Sequence, residues 1–226
     1  MELFTSEGCS TCPPADALLA ALDLKQPVPG AEVLPLEEHV DYWDQDGWRD
    51  PFDSSAYTQR QQVYAWRFHL PSTYTPEMVV DGRAEFTGGS YPKARAAILQ
   101  DLQAPRARVS LSVAKGPGPN ELHAAVHVED YPPGVREKAE LRLALTEDGL
   151  ASDVHAGENS GKHLEHRAVV RRILSAGHVQ QDRPFSEDVK IPVDRGWNVE
   201  HLRIVAFLEG QSTHQILGAA SSRVSP

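Results

Sequence analysis

Glu2-Leu3-Phe4-Thr5-Ser6-Glu7-Gly8-Cys9-Ser10-Thr11-Cys12-Pro13-Pro14-Ala15-Asp16 places a short apolar strand, a turn and a cysteine pair directly ahead of a helix. Ala15, Leu18, Leu19 and Leu22 recur at i, i+3, i+4 and i+7, one apolar stripe of an α-helix, and Pro13 and Pro14 are tolerable because they occupy its first turn. Two thiols two residues apart at such a helix start can close a small disulfide ring. The unpaired N–H groups and positive dipole end of the helix favour a thiolate on the first of them. Cys9 is therefore the candidate nucleophile and Cys12 the resolving thiol, an assignment that needs the sulfurs at an accessible position.

The expected elements continue outward from this motif. A strand is expected around Val33 to Trp43, beginning either there or only after Pro35, and a helix from Ser54 or Ser55 to about Leu70. Glu77–Val80 and Arg83–Thr87 read as a hairpin turning on Asp81-Gly82, and a last helix starts at Ser90. Strands mixed with helices over residues 1–104 indicate a compact α/β domain. Beyond Ala104-Pro105 the period changes from 3.6 to 2. Val109, Leu111 and Val113, then Leu122, Ala124, Val126 and Val128, then Leu141, Leu143 and Leu145, alternate with polar residues. Turns such as Gly116-Pro117-Gly118-Pro119-Asn120 separate these runs, so residues 105–226 are expected to form an all-β, immunoglobulin-like sandwich. Arg167–Leu174 fits either a strand or a short helix and is assigned to a strand by its β context.

Length and charge narrow the function classes. The chain has 226 residues, 22 Lys and Arg against 32 Asp and Glu, and a net charge of -10, which repels nucleic acid phosphates and anionic lipid. Its apolar runs are far shorter than the ~18 residues a membrane span needs. With two cysteines in all, a four-cysteine zinc site and a multiply stapled scaffold are excluded. Met1 leads straight into the first strand, and no targeting segment is expected within this sequence. No cofactor motif is recognised.

Other candidates surround the cysteine pair. Tyr74-Thr75-Pro76-Glu77 lies just ahead of the hairpin. Trp43, Trp48 and Phe52 sit in a long loop that is expected to rim Cys9, either holding a partner peptide or forming a satellite core that pins the loop. Asp41, Asp44, Asp46 and Asp50 read as solvated charges which, with Glu7, disfavour the Cys9 thiolate and give the pair a reducing poise. Cys9, Cys12 and His39 form an alternative soft site for Cu(I) or zinc. His39 otherwise reads as a satisfied strand histidine, and His155, His163 and His166 as members of a polar loop. Gly157–Lys162 (GENSGK) is one residue short of a phosphate loop and lacks Ser or Thr after Lys162.

Leu3-Phe4, Gly8-Cys9-Ser10-Thr11-Cys12, Thr75-Pro76 and Gly82, in this order and spacing, resemble the thioredoxin superfamily over residues 1–104. The resemblance implies a thioredoxin-like domain, a cis Thr75–Pro76 bond facing the cysteines, and a Thr75 backbone that receives an extended substrate segment. A narrower likeness covers nearly the whole chain. Glu2–Asp16, His39-Val40-Asp41-Tyr42-Trp43-Asp44, Gly47-Trp48, Asp50-Pro51-Phe52, Tyr74–Val80, Gly157-Glu158-Asn159 and Val169-Val170-Arg171 are similar to a bacterial and plant family catalogued as domain of unknown function 1223. Members of that family look exported, which implies a periplasmic or secreted setting. The function expected from these readings is thiol–disulfide oxidoreduction on a protein substrate, with Trp43, Trp48 and Tyr74 contacting it. The alternatives are a Cu(I) or zinc carrier and a binding module without catalysis.

Overall fold

The computed structural model describes residues 1–118, 120–181 and 183–224; Pro119 of the turn at Gly116–Asn120 lies outside them. In chain order the elements are β1 (Glu2–Thr5), α1 (Pro13–Lys25), β2 (Leu36–His39), α2 (Ser55–Arg67), β3 (Glu77–Val80), β4 (Ala84–Thr87), α3 (Tyr91–Asp101), β5 (Val109–Lys115), β6 (Glu121–Val128), β7 (Ala139–Glu147), β8 (Leu150–Asp153), β9 (His163–His166), β10 (Val169–Val179), β11 (Phe185–Pro192), β12 (Leu202–Gly210) and β13 (Ile216–Arg223). A 3-10 turn spans Asp41–Asp46. Contacts divide the chain into two units, Met1–Gln103 with Gly149–Val170, and Ala104–Asp148 with Arg171–Pro226.

In the first unit, β1 runs parallel to β2 and antiparallel to β3, and β3 turns back into β4 through Asp81 (φ 48°) and Gly82 (φ 61°). Successive side chains of a strand point to opposite faces. Leu3, Met78 and Val80 accordingly join Ala15, Leu19 and Leu22 of α1 and Ala94 and Ile98 of α3, whereas Phe4 and Val79 join Val40 and Tyr64 of α2. Each fully buried large apolar side chain contributes roughly 1.5–3 kcal/mol, and this packing on both faces fixes the start of α1 against the strand ends. Ser54 caps α2, its hydroxyl oxygen accepting from the Ala56 amide at 3.2 Å. In the second unit, alternating residues of β6, β7 and β12, among them Leu122, Val126, Leu141, Leu143, Ile204 and Leu208, bury a separate apolar core.

The strand ladders correct the expected fold class. Hydrogen-bonded order runs β13-β12-β7-β10-β2-β1-β3-β4 as one eight-stranded mixed sheet, with β11-β6-β5 and β8-β9 apart from it. Thirteen strands stand against three α-helices among the described residues. A thioredoxin-like α/β domain followed by an immunoglobulin-like sandwich would place the two halves in separate sheets, and this ladder does not. The physical reason lies in β10, an eleven-residue strand. Its first residue, Val169, pairs with Glu37 of β2, while the strand also takes its place beside β7 in the sheet order. Among the described residues, no helix is long and apolar enough to cross a membrane.

Candidate functional site at the Cys9–Cys12 turn

β1 ends at Thr5, and the chain turns tightly into α1. The Gly8 amide donates to Ser6 Oγ at 3.1 Å, the Cys9 amide to the Ser6 carbonyl at 3.1 Å, and the Cys12 amide to the Cys9 carbonyl at 3.2 Å. These bonds bring Cys9 and Cys12 to a Cα separation of 5.4 Å, and the two are joined as a disulfide. Cys12 is the N-cap of α1, and its carbonyl accepts from the amides of Ala15 and Asp16. Pro13 and Pro14 have no N–H, the Ala15 and Asp16 amides are engaged by the Cys12 carbonyl, and Thr11 Oγ1 lies 3.4 Å from Cys9 Sγ. One expectation fails here. Both cysteines have no exposed surface, whereas Ser10 and Thr11 between them are exposed.

Part of the enclosure comes from a distant segment of the same unit. Asn159, fully buried, donates through Nδ2 to the carbonyls of Glu7 and Cys9 at 2.7 and 2.9 Å, and Glu158 Oε2 accepts from the Ser10 amide at 3.1 Å. The GENSGK segment thus fastens the cysteine turn. Lys162 Nζ in turn holds Asn159 Oδ1 at 2.8 Å, which fixes the amide so that its nitrogen faces the two carbonyls.

Trp43 links the turn to Thr75. Its Nε1 donates to Thr75 Oγ1 at 2.7 Å, and its Cβ lies 2.9 Å from where a Gly8 Cβ would stand. The Thr75–Pro76 bond is cis. Gly88 brings Pro76 against the first turn of α1, since a Cβ there would sit 3.1 Å from Pro76 Cβ and 2.8 Å from Ala15 Cβ. Tyr74 is placed differently. Its hydroxyl donates to Glu85 at 2.8 Å, and its carbonyl accepts from Gln61, which also donates to Glu77 at 2.8 Å. Trp48 is half-buried, with Nε1 donating to Glu7 Oε2 at 2.7 Å.

Beneath the turn lies a buried polar network. Asp50 is 2 % exposed, so it is not the solvated charge its loop position implied; its Oδ2 accepts from the Glu7 amide at 2.8 Å and meets His39 Nδ1 at 2.7 Å. His166, also buried, spans Glu37 through Nδ1 at 2.9 Å and Glu7 through Nε2 at 3.1 Å. Burial alone would raise the Glu37 carboxyl, but the hydrogen bond from His166 and the neighbouring His39 outweigh it and hold it at about 2. Burial would likewise raise Asp50, and the His39 charge and hydrogen bond lower it to about 2. The histidines move the other way against their burial. Hydrogen bonds to Glu37 and Glu7 lift His166 to about 9, and the Asp50 charge and hydrogen bond lift His39 well above its ordinary value. Asp16, one turn after Cys12, is raised to about 7 by burial and the Glu37 charge, against a 2.6 Å hydrogen bond from Thr5 Oγ1.

The family described as protein of unknown function DUF1223 matches residues 1–209. The chain belongs to that family. Two solved structures share its fold. A structural-genomics target protein from Agrobacterium tumefaciens is 24% identical, with TM-score 0.73, over 97% of this chain and 91% of that one. HBP35 of Porphyromonas gingivalis is 16% identical, with TM-score 0.73, over 99% of this chain and 74% of that one. No curated protein matches this chain.

In this DUF1223 chain the structure gathers Cys9, Cys12, Trp43 and Thr75 with Pro76, and turns Tyr74 towards Glu85. It does not gather Cys9, Cys12 and His39 as a metal site, because the thiols are spent in the disulfide and His39 directs its ring nitrogens to Asp50 and Glu37. Asn159, His166 and Glu37 carry no local signal of their role. Asn159 and His166 meet the turn from 150 or more residues away, and the one available cue was charge spacing: Glu37 and His39 occupy the same face of β2.

Proposed function

We propose that Cys9–Cys12 is a thiol–disulfide exchange centre of this DUF1223 protein, acting on a protein dithiol or disulfide, with access controlled by the segment that covers it. The observation that carries this reading is a disulfide at the start of α1, tied through Gly8 and Trp43 to Thr75 beside a cis proline. A substrate thiolate attacks Cys9 Sγ, the Cys9–Cys12 bond breaks, and Cys12 leaves as a thiolate that takes up a proton. The second substrate thiolate then attacks the substrate sulfur of the mixed disulfide and releases Cys9 as a thiolate. Two electrons pass from the substrate dithiol to the pair; the reverse sequence reduces a substrate disulfide.

Thr11 Oγ1, 3.4 Å from Cys9 Sγ, supplies a donor to a Cys9 thiolate where the helix amides do not. The carboxylates around the turn favour neutral thiols, so the reading includes a reducing poise. The exposed Ser10-Thr11 bridge must move for either sulfur to be reached. Trapping tests the reading: Cys12→Ser should accumulate a mixed disulfide on Cys9 with a peptide disulfide, one peptide sulfur leaving as thiolate, while Cys9→Ser should not. A Cys9–Cys12 bond that resists dithiols in the native protein, together with no trapped adduct, would instead make it a structural staple, the reading that the burial of both cysteines favours.

A further inference from the structure

We propose that Glu37, His39 and His166 form a binding site for a first-row divalent metal ion of the zinc class, separate from the cysteine pair. Glu37 and His39 stand two residues apart on β2 and share one face of the strand, and His166 closes β9 beside them. Glu37 Oε1 lies 2.9 Å from His166 Nδ1 and 3.6 Å from His39 Nε2, and the three donor groups converge within 4.8 Å of one another. All three side chains are at most 1 % exposed. Two imidazole nitrogens and one carboxylate oxygen suit Zn²⁺ and its first-row neighbours, and leave one position of a tetrahedral ion to a water.

The orientation of the rings carries the argument. Each histidine commits its outer nitrogen to a carboxylate, His39 Nδ1 to Asp50 at 2.7 Å and His166 Nε2 to Glu7 at 3.1 Å. Carboxylate partners of this kind fix the tautomer and aim of metal-ligating histidines. The inner nitrogens, His39 Nε2 and His166 Nδ1, are thereby turned towards one point beside Glu37. His39 Nε2 has no hydrogen-bond partner although its side chain is wholly buried, and 3.6 Å to Glu37 is too long to supply one. A metal ion would satisfy that nitrogen. It would also sit among negative charge, since the carboxylates of Glu7, Glu37 and Asp50 are buried around the two histidine rings. Phe52, with its ring centroid 5.5 Å from both imidazoles, closes an apolar wall on the cluster.

The test uses the full chain stripped with chelator and dialysed against Zn²⁺, with Co²⁺ as a spectroscopic probe. About one Zn²⁺ per chain should remain after desalting, and Co²⁺ should give visible d–d bands without a thiolate charge-transfer band. Cys9→Ser/Cys12→Ser should retain the metal, and Glu37→Gln or His39→Ala should lose at least tenfold in affinity. Where those variants do not fold, the wild-type cobalt spectrum decides. No retained zinc and no cobalt bands, a thiolate band, or loss of metal only on removing the cysteines would each overturn the site. Failure of thiol exchange leaves it untouched, because the exchange chemistry uses none of its three donors.

Discussion

Asn159 holds the carbonyl oxygen of Cys9 at 2.9 Å across 150 residues of sequence, and with the same nitrogen holds the carbonyl of Glu7 at 2.7 Å. Removing that donor leaves two enclosed acceptors without it, at a cost of about 1–3 kcal/mol. Asn159→Ala should therefore lower the unfolding midpoint and expose the disulfide, so that a small dithiol reduces it faster under native conditions. Asn159→Asp should be at least as damaging, since it sets acceptor against acceptor. Thermal unfolding with timed thiol labelling reads both effects; an unchanged reduction rate in a destabilised variant would show that the strap does not control access.

Trp43 couples the turn to Thr75 in two separable ways. Trp43→Phe keeps most of the ring and removes the 2.7 Å bond to Thr75 Oγ1, for a loss of about 1 kcal/mol. Gly8→Ala keeps the bond's partners but drives a methyl group to 2.9 Å from Trp43 Cβ, and overpacking of this kind costs about 1–3 kcal/mol. If both positions act through Trp43, the double variant should lose less stability than the sum of the singles, measured by denaturant unfolding. Strict additivity would uncouple them.

Glu77, wholly buried after Pro76, has its carboxyl raised to about 7 by burial, a shift that the hydrogen bond from Gln61 opposes. A carboxyl with a folded value above its unfolded one binds more protons in the native state between the two. Stability from this group is therefore present below pH ~4.5 and is lost as pH rises towards 7, by an amount on the order of 3 kcal/mol at most. Glu77→Gln keeps the shape and cannot ionise. The stability of Glu77→Gln relative to wild type should rise between pH 5 and pH 8, and a flat difference would mean that Glu77 is ionised throughout.

How much of this was legible depends on whether a residue's role is set locally. The stripe through Leu19 and Leu22, the Ser54 cap and the positive-φ pair Asp81-Gly82 follow from spacing and turn chemistry, and the structure shows each. Asp50 and His166 read as solvated because a polar residue in a loop gives no periodic sign of burial; each is desolvated by partners brought in from elsewhere in the fold. The fold class failed for a related reason. The β context of Arg167–Leu174 assigns a strand, but nothing in that stretch says that β10 will pair with β2 as well as stand next to β7. The same locality misjudged exposure, since nothing within Gly8–Cys12 announces the cover supplied by Glu158 and Asn159.

Gly88 sets how closely Pro76 approaches the helix that carries Cys12. A Cβ at Gly88 would meet Ala15 Cβ at 2.8 Å, Pro76 Cβ at 3.1 Å and Leu3 Cδ1 at 3.2 Å, so a methyl group has no room on any side. Gly88→Ala should cost about 1–3 kcal/mol by overpacking and move the first turn of α1 relative to Pro76. Ala15→Gly removes the nearest of the three obstacles, at about 0.5–1 kcal/mol for a helical glycine. In Gly88→Ala/Ala15→Gly the clash with Ala15 is gone while those with Pro76 and Leu3 persist, so stability should recover in part. Dithiol reduction kinetics separate spacing from stability. If the approach of Pro76 to α1 governs exchange, Gly88→Ala should change the rate and the double variant should restore it towards wild type; Ala15→Gly alone, though destabilised, should leave it near wild type. A rate that tracked stability across all three variants would remove Pro76 from the exchange centre.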